Sequence, residues 1–279
     1  MTDAGAGLVD LAESIAREAG DLVRQARAGR IDVAATKSSP TDIVTQVDLA
    51  AEDLIRRRLR STRPDDGFVG EESEAVAGTS GVRWIVDPID GTVNFLYGIP
   101  QFAVSIAAEV DGAVVAGVVH NPASGETFVA TAGHGATLDG QQISVRRWRD
   151  PAEALVGSGY HYRADVRARQ AAESGLLVSR FRDVRRLGSA ALDLCFVACG
   201  RLDAYVERGL RPWDLAAGAL IAREAGARVE DLHSAAPSEL ITVAAPATVF
   251  AVFRDELVAC GFDDWPLPDW PPARPDPFD

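Results

Sequence analysis

The segment from Trp84 to Phe95 (WIVDPIDGTVNF) constrains the fold most, because it joins an apolar strand to a turn that carries two carboxylates. Residues three apart on a straight strand point to opposite faces of the sheet. Pro88 cannot donate to the sheet ladder, so it interrupts the strand, starts a turn and allows Asp87 and Asp90 to converge. Gly91-Thr92 then begins a short helix. The segment therefore predicts a strand, a turn and a helix start with paired carboxylates between them.

The chemistry of this segment fits a divalent cation and a phosphate. The Asp87 and Asp90 carboxylates and the Ile89 carbonyl are hard oxygen ligands, which suit Mg²⁺. Gly91 allows a phosphate to approach the backbone, and the free N–H groups of a helix start at Thr92 would face that anion. The alternative is a plain turn, because Asp-Pro and Asp-Gly are common turn sequences.

Three further pieces of the chain carry acidic residues: Asp48, the pair Glu71-Glu72, and Asp214 after Trp213. Each has a structural alternative. Asp48 completes a capping box with Thr45, Asp214 could cap the helix that follows it, and Glu71-Glu72 could be a solvated strand end. Taken together with the Asp87 segment, the four pieces predict a multi-metal phosphatase site.

The length, hydrophobic content and net charge of the chain bear on this prediction. The chain has 279 residues, of which 47% are hydrophobic, so it can bury a sizeable core in one large domain or two packed halves. Its 41 acidic and 28 basic residues give a formal charge of −13. This charge argues against a surface that binds nucleic acid by neutralising phosphates. An anionic substrate would therefore need cations to mediate its binding.

Cysteine usage favours a reducing compartment. Cys195, Cys199 and Cys260 are odd in number and contain no CxxC pair, and the chain has four histidines, so neither a disulfide framework nor a zinc site is indicated. Cys195 and Cys199 are expected in the core. No window approaches the roughly 18 to 20 apolar residues of a membrane span, and residues 1–7 do not resemble a signal peptide. We expect a cytoplasmic protein without a membrane or nucleic-acid partner.

The hydrophobic pattern begins with helices and then changes to strands. Apolar residues from Leu8 to Leu22 follow helical spacing, and Thr45 begins a second predicted helix that runs to about Leu59. Short apolar runs follow between Phe68 and Thr131, with a hairpin at Asp111-Gly112. After Arg146 helices and short strands alternate. The helices are predicted at 165–177, 190–198 and 214–225.

This pattern predicts two α/β halves and a tail. The N-terminal half, residues 1–146, contains most of the candidate metal ligands. The C-terminal half, residues 147–264, contains Asp214 and a substrate wall. Residues 265–279 are rich in proline, which excludes regular helix or sheet pairing and predicts a flexible tail.

Five ordered motifs make the chain resemble the inositol monophosphatases, a family of lithium-sensitive, magnesium-dependent phosphatases. The resemblance spans nearly the whole chain up to Trp265. The motifs are KSSPTDIVTQVD from Lys37 to Asp48, GEES from Gly70 to Ser73, WIVDPIDGTVNF from Trp84 to Phe95, LGSAALDLCFVACGRLDAYVE from Leu187 to Glu207, and WDLAAGALIAREAGARV from Trp213 to Val229.

The resemblance implies a role for each matching residue. The carboxylates of Glu71, Asp87, Asp90 and Asp214, with the Ile89 carbonyl, would hold two to three Mg²⁺ ions around the phosphate. Asp48 and Thr92 would orient the attacking water, and Glu71 would help to activate it. The resemblance also implies the substrate contacts. Gly91 and Thr92 would hold the phosphate, and Asp90 and Asp214 would also bind the substrate. The residues that would meet the hydroxyls of the sugar alcohol are Gly188, Ser189, Ala190 and Glu207.

The resemblance also implies an αβαβα sandwich, an α/β (α+β) fold of alternating helix and sheet layers, and a homodimer. The expected reaction is hydrolysis of inositol 1-phosphate, a small phosphate monoester, by direct in-line attack of water, which makes the chain a phosphoric monoester hydrolase. Val93-Asn94-Phe95 and Glu207 favour this substrate. Related enzymes cleave histidinol phosphate, fructose 1,6-bisphosphate, 3′-phosphoadenosine nucleotides or other sugar and polyol phosphates. A different alternative is a regulatory binding partner of the transcription machinery.

Overall fold

The fold is that of a computed structural model, which describes residues 4–27, 29, 33–36 and 43–262. The first residues of the Lys37 motif and the Pro-rich tail 265–279 lie outside the described residues. Within this part of the chain there are seven α-helices. They are α1 (Ala4–Ala26), α2 (Gln46–Thr62), α3 (Thr92–Tyr97), α4 (Ala164–Arg180), α5 (Ala190–Ala198), α6 (Pro212–Glu224) and α7 (Phe250–Ala259).

The strands form one small and two large sheets. A two-stranded sheet contains β1 (Val33–Thr36) and β2 (Ile43–Thr45). The strands of the seven-stranded sheet, in spatial order, are β3 (Gly67–Gly70), β4 (Val82–Asp90), β5 (Ala103–Val110), β6 (Ala113–His120), β7 (Thr127–Thr131), β8 (Ala136–Leu138) and β9 (Gln141–Gln142). Those of the five-stranded sheet, in chain order, are β10 (Leu155–Ser158), β11 (Asp183–Arg185), β12 (Ala204–Glu207), β13 (Ala227–Glu230) and β14 (Thr242–Pro246).

Both large sheets are mixed. In the seven-stranded sheet β3 and β4 are parallel and every later neighbour is antiparallel. The five-stranded sheet has the order β11-β10-β12-β14-β13, with β10 parallel to both of its neighbours. The sharp link at Asp111-Gly112 joins β5 and β6 as an antiparallel hairpin, which confirms the sequence prediction.

Side chains from the two faces of each sheet enter different cores. Along β4, Trp84 and Val86 pack against α1 and α2, whereas Ile85 points to the other face and contacts the core around α5 and α6. The five-stranded sheet alternates in the same way, since Tyr205 joins the α5 and α6 core and Val206 joins the core beneath α4 and α7. This alternation is the period of two expected of a strand that is covered on both faces.

The helices therefore form three layers around two sheets. Helices α1 and α2 cover the outer face of the seven-stranded sheet, α5 and α6 lie between the two large sheets, and α4 and α7 cover the outer face of the five-stranded sheet. This order confirms the predicted αβαβα sandwich. The division into halves at residue 146 stays a prediction. Among the described helices, none combines the length and the low charge that crossing a membrane requires.

The corner between α2 and β3 depends on one carboxylate. The Asp66 side chain is 3% exposed and accepts hydrogen bonds from Arg63 Nε (2.8 Å), Ser80 Oγ (2.6 Å) and Trp84 Nε1 (2.8 Å). Burial by itself raises the pKa of Asp66, but these hydrogen bonds outweigh burial and the pKa is lowered. The charged carboxylate is therefore the form that stabilises this corner.

We predict that Asp66→Asn lowers the free energy of unfolding by about 2 kcal/mol at pH 7, because an amide cannot accept all of these hydrogen bonds. The folded-state pKa of Asp66 is depressed, so its contribution is present above the ordinary carboxyl pKa and is lost as the pH falls through the lowered value. Urea unfolding at pH 7 and at acidic pH measures both effects. Asp65→Asn, at the exposed neighbour, is the control, and an equal loss in both variants would contradict the assignment.

Candidate active site

A bulge in β4 brings Asp87 and Asp90 to one face. Asp87 lies opposite Ser105 of β5 and Asp90 lies opposite Ala103, so three steps along β4 match two along β5. One extra residue reverses the alternation of the strand, and two residues three apart then point the same way. The ladder is interrupted after Asp87, as predicted from Pro88. The prediction that Pro88 starts a turn is wrong, because β4 continues through the bulge to Asp90.

Asp214 joins these two carboxylates from α6. Ligand oxygens of Asp87, Asp90 and Asp214 all lie within 4.8 Å of one another. Asp214 is the third residue of α6, and its Oδ2 accepts a hydrogen bond from the Arg211 backbone N–H at 2.6 Å. The helix-capping contact of Asp214 and its place in the cluster therefore coexist in one side chain.

One oxygen of every carboxylate in the cluster is held by the chain. Asp87 Oδ1 accepts from the Ile89 N–H at 3.0 Å. Asp90 Oδ2 accepts from Ser189 Oγ at 2.6 Å and from the Ala191 N–H at 2.7 Å. These donors come from the bulge, from the start of α5 and, for Asp214, from the residue that caps α6, so three separate elements fix the orientation of the cluster.

The cluster is electrostatically unfavourable as bare carboxylates. Burial raises the pKa of Asp87 and of Asp214 well above the ordinary value, and the charges of their acidic neighbours raise both further. Burial also raises the pKa of Asp90 to about 6, although hydrogen bonds from Ser189 and Ala191 oppose the shift. Bound cations would remove this repulsion, and a set of oxygen donors is the kind that Mg²⁺ prefers. The three aspartates therefore fit a metal site.

Asp48 and Thr92 are in contact, as their predicted pairing requires. Thr92 Oγ1 lies 3.0 Å from Asp48 Oδ1 and 3.0 Å from the Ile89 carbonyl oxygen. The other oxygen of Asp48 accepts from the Thr45 N–H at 2.9 Å and from the Thr45 hydroxyl at 2.5 Å. This second set of contacts is the predicted capping box of α2. Burial raises the pKa of Asp48, against the effect of hydrogen bonds from Thr45 and Thr92.

Gly91 links the bulge to the short helix α3. Its φ of +94° lies in the left-handed region that favours glycine, and a Cβ at this position would lie 2.9 Å from the Gln101 carbonyl oxygen. Thr92 is the first residue of α3, as the sequence predicts. A side chain at residue 91 would therefore disturb both the backbone geometry and the approach of the neighbouring loop.

A cavity of about 500 Å³ opens in front of the cluster. The residues that line it include Glu71, Asp90, Gly188, Ala190, Glu207 and Asp214. Ser189 belongs to the predicted substrate-binding run, but it is 1% exposed, is not among the lining residues, and donates its hydroxyl hydrogen to Asp90.

Glu71 and Glu72 separate at the end of β3. Glu71 lines the cavity, and its backbone N–H donates to the Val86 carbonyl at 3.2 Å. The backbone N–H of Glu72 instead donates to Glu52 Oε2 of α2 at 2.9 Å. Of this pair, Glu71 is the residue that the structure brings to the cluster.

Glu207 lies on the cavity wall beside groups that control its charge. Tyr205 donates its hydroxyl hydrogen to Glu207 Oε2 at 2.5 Å. Burial raises the pKa of Glu207 to about 7, opposed by this hydrogen bond and by the positive charge of Arg186. Glu207 can therefore present either a carboxylate or a carboxylic acid to a ligand near neutral pH.

Comparison with known proteins identifies the family. The model of the inositol monophosphatase family matches residues 7–256. The chain belongs to this family. It is 47% identical over 273 residues to "Inositol-1-monophosphatase SuhB" of Mycobacterium tuberculosis, covering 91% of this chain and 93% of the relative. It is 40% identical over 263 residues to "Nus factor SuhB" of Pasteurella multocida, covering 92% and 98%.

A solved structure supports the same assignment. The extragenic suppressor protein SuhB from Bartonella henselae matches with a TM-score of 0.85 and 35% identity, over 90% of this chain and 98% of that one. Membership of the inositol monophosphatase family supports a phosphatase, and the αβαβα order agrees with it.

Two charged residues at or close to the cavity of this inositol monophosphatase family member were missed by the sequence analysis. Arg186 lines the cavity close to Gly188. Asp193 is 1% exposed, and its Oδ1 has no hydrogen-bond partner among the described residues. Burial raises the pKa of Asp193 well above its ordinary value. The available signal was the position of Asp193 as the one charged residue of the apolar helix AALDLCFVA.

We predict that Asp87→Asn makes the metal-free protein more stable. The substitution removes a buried charge from the cluster, and it should raise the free energy of unfolding by about 1 kcal/mol in EDTA. Added Mg²⁺ should stabilise the unsubstituted protein and have a much smaller effect on the variant. Thermal unfolding with EDTA and with Mg²⁺ measures both.

The control for that comparison is Asp53→Asn, which removes an exposed carboxylate of α2. Equal changes in the two variants would mean that the overall net charge, rather than the cluster, sets the effect. Lower stability of Asp87→Asn in EDTA would mean that the hydrogen bond from Ile89 outweighs the repulsion.

Proposed function

We propose that this protein is a Mg²⁺-dependent phosphomonoesterase that hydrolyses inositol 1-phosphate to inositol and phosphate. The observation that carries the proposal is the meeting of Asp87, Asp90 and Asp214 beside a cavity that Glu207 also lines. The carboxylates would then hold metal ions and the phosphate, and Glu207 would meet the hydroxyl groups of a polyol. The family relationship supports the same reaction class.

Glu71, Asp87, Asp90 and Asp214, with the Ile89 carbonyl, would hold two to three Mg²⁺ ions. When bound, these ions would neutralise the phosphoryl oxygens, lower the pKa of the attacking water and stabilise the leaving alkoxide. The Ile89 carbonyl oxygen lies 3.0 Å from the Thr92 hydroxyl, and a carbonyl oxygen has two lone pairs, so one remains for a cation.

Asp48 and Thr92 would orient the water. Asp48 Oδ2 is held by Thr45, so Oδ1 remains directed at the Thr92 hydroxyl. When Thr92 donates its hydrogen to Asp48, its own oxygen can accept a hydrogen from water and fix the direction of the water lone pair. Asp48 is buried within α2, so this arrangement is held by the helix start. Direct attack by water would then proceed without a covalent phosphoenzyme.

The cavity wall would select the alcohol. Glu207 can hydrogen-bond to hydroxyl groups in either protonation state, and the backbone at Gly188 and Ala190 allows a ring to approach. Tyr160, His161, Tyr162 and Arg211 also line this cavity. These bulky side chains would contact the alcohol group of the substrate, so histidinol phosphate and other sugar or polyol phosphates are the competing substrates.

Phosphate release from four esters tests the proposal. The esters are inositol 1-phosphate, histidinol phosphate, fructose 1,6-bisphosphate and 3′-phosphoadenosine 5′-phosphate, each assayed with Mg²⁺ and with EDTA. We expect the highest kcat/KM for inositol 1-phosphate and loss of turnover in EDTA. Preference for another ester would replace the substrate and keep the reaction class. Equal turnover in EDTA would exclude the proposed metal dependence.

A regulatory role is the second candidate, because one relative bears the name "Nus factor". The two candidate functions depend differently on Asp90, which hydrolysis needs and a regulatory contact does not. We expect Asp90→Asn to reduce hydrolysis at least 100-fold, since removal of a metal ligand weakens transition-state stabilisation. A regulatory contact made by the outer surface would survive this change. Phosphate release and pull-down of transcription complexes with both proteins distinguish the two. Unchanged hydrolysis would exclude Asp90 as a ligand.

A further inference from the structure

We propose that Glu52 is a positioning residue that sets the place of Glu71 beside the carboxylate cluster. The inference rests on the proposed function for the roles of Glu71 and the cluster. It assigns to α2 a second contact with the site, besides the one made by Asp48.

Glu52 is a buried carboxylate with a specific partner. It is 3% exposed and lies one helical turn after Asp48, on the same face of α2. Its Oε2 accepts a hydrogen bond from the Glu72 backbone N–H at 2.9 Å. A buried carboxylate is costly without donors, and a backbone N–H that meets a charged acceptor makes one of the stronger hydrogen bonds.

Gly70 creates the space for this carboxylate. A Cβ at residue 70 would lie 2.4 Å from Glu52 Oε2 and 2.6 Å from Glu52 Cδ. Real Cβ atoms do not approach other atoms so closely, so the Glu52 side chain would have to move away. The packing of α2 against this segment therefore explains why the motif GEES begins with a glycine.

Hydrogen bonds from two successive backbone N–H groups, those of Glu71 and Glu72, hold the chain at Glu71 in place. The N–H of Glu71 donates to the Val86 carbonyl at 3.2 Å, which continues the pairing of β3 with β4. The next N–H, that of Glu72, is held by Glu52. Regular strand structure ends at Gly70, so the second contact fixes the chain where the sheet no longer does.

Helix α2 therefore sets the distance between two parts of the site. Asp48 contacts Thr92 at the end of the β4 bulge, and Glu52 contacts the chain at Glu71. Both side chains are buried and are anchored on adjacent turns of one helix. An α-helix rises about 1.5 Å per residue, so α2 fixes the distance between the group that would orient water and the chain that would bind metal.

Glu52→Ala, Glu52→Gln and Glu52→Asp test the proposal in the full chain. Mn²⁺ binding, followed by the electron paramagnetic resonance signal of the free ion, gives a readout that does not need turnover. Steady-state kinetics on inositol 1-phosphate separate kcat from KM. Loss of a residue that orients a metal ligand typically costs about 10- to 100-fold in metal affinity or activity.

We expect Glu52→Ala and Glu52→Asp to weaken Mn²⁺ binding and to lower kcat by about tenfold or more, with KM changed much less. The aspartate variant keeps the charge but is one methylene too short. Glu52→Gln keeps an acceptor oxygen for the Glu72 N–H and should retain most of the affinity and kcat.

The matched control is Asp66→Asn, which removes another buried acceptor at the far end of α2. It should lower stability without changing Mn²⁺ affinity or kcat. The proposal is overturned if Glu52→Ala or Glu52→Asp behaves like this control, or if Glu52→Gln is as impaired as Glu52→Ala. If the unsubstituted protein hydrolyses none of the esters, the proposed function fails, and the Mn²⁺ affinities still decide the role of Glu52.

Discussion

Repulsion among three carboxylates, two buried and one half-buried, is the constraint around which this molecule is organised. Asp87, Asp90 and Asp214 are close together and largely removed from water, and burial raises the pKa of each. Such a cluster would open if its side chains were free to turn. The chain prevents this by bonding one oxygen of each carboxylate to a nearby donor. Ligand oxygens of the three carboxylates lie within 4.8 Å of one another, a spacing that fits shared cations.

The layer order explains where those donors come from. Helices α5 and α6 lie between the two large sheets, so their first turns can reach the end of β4. Ser189 and the Ala191 N–H at the start of α5 hold Asp90, and α6 contributes Asp214 itself. The central helix layer thus joins the carboxylate cluster to Glu207 of β12, which lines the same cavity.

Two helix starts serve both folding and the site. Asp48 and Asp214 each occupy the third position of a helix and each accept a backbone hydrogen bond from the residue that caps it. Capping fixes one carboxylate oxygen and leaves the other available. A structural explanation of these aspartates and a functional one are therefore compatible, and the local geometry of the cap is what gives the side chain its direction.

The sequence by itself determined the secondary structure of the site and its chemical character. Hydrophobic spacing predicted α2, α5 and α6, the turn residues predicted the Asp111-Gly112 hairpin, and the acidic motifs predicted metal ligands, because each of these signals is local. Pro88 predicted the interruption of β4, but the bulge that replaces the predicted turn depends on pairing with β5. Only the tertiary structure decided that Ser189 contacts Asp90, that Asp193 is buried behind the wall, and that Glu52 meets the chain beside Glu71. These contacts join residues far apart in sequence, and the packing of helix layers on two sheets, rather than any local pattern, brings them together.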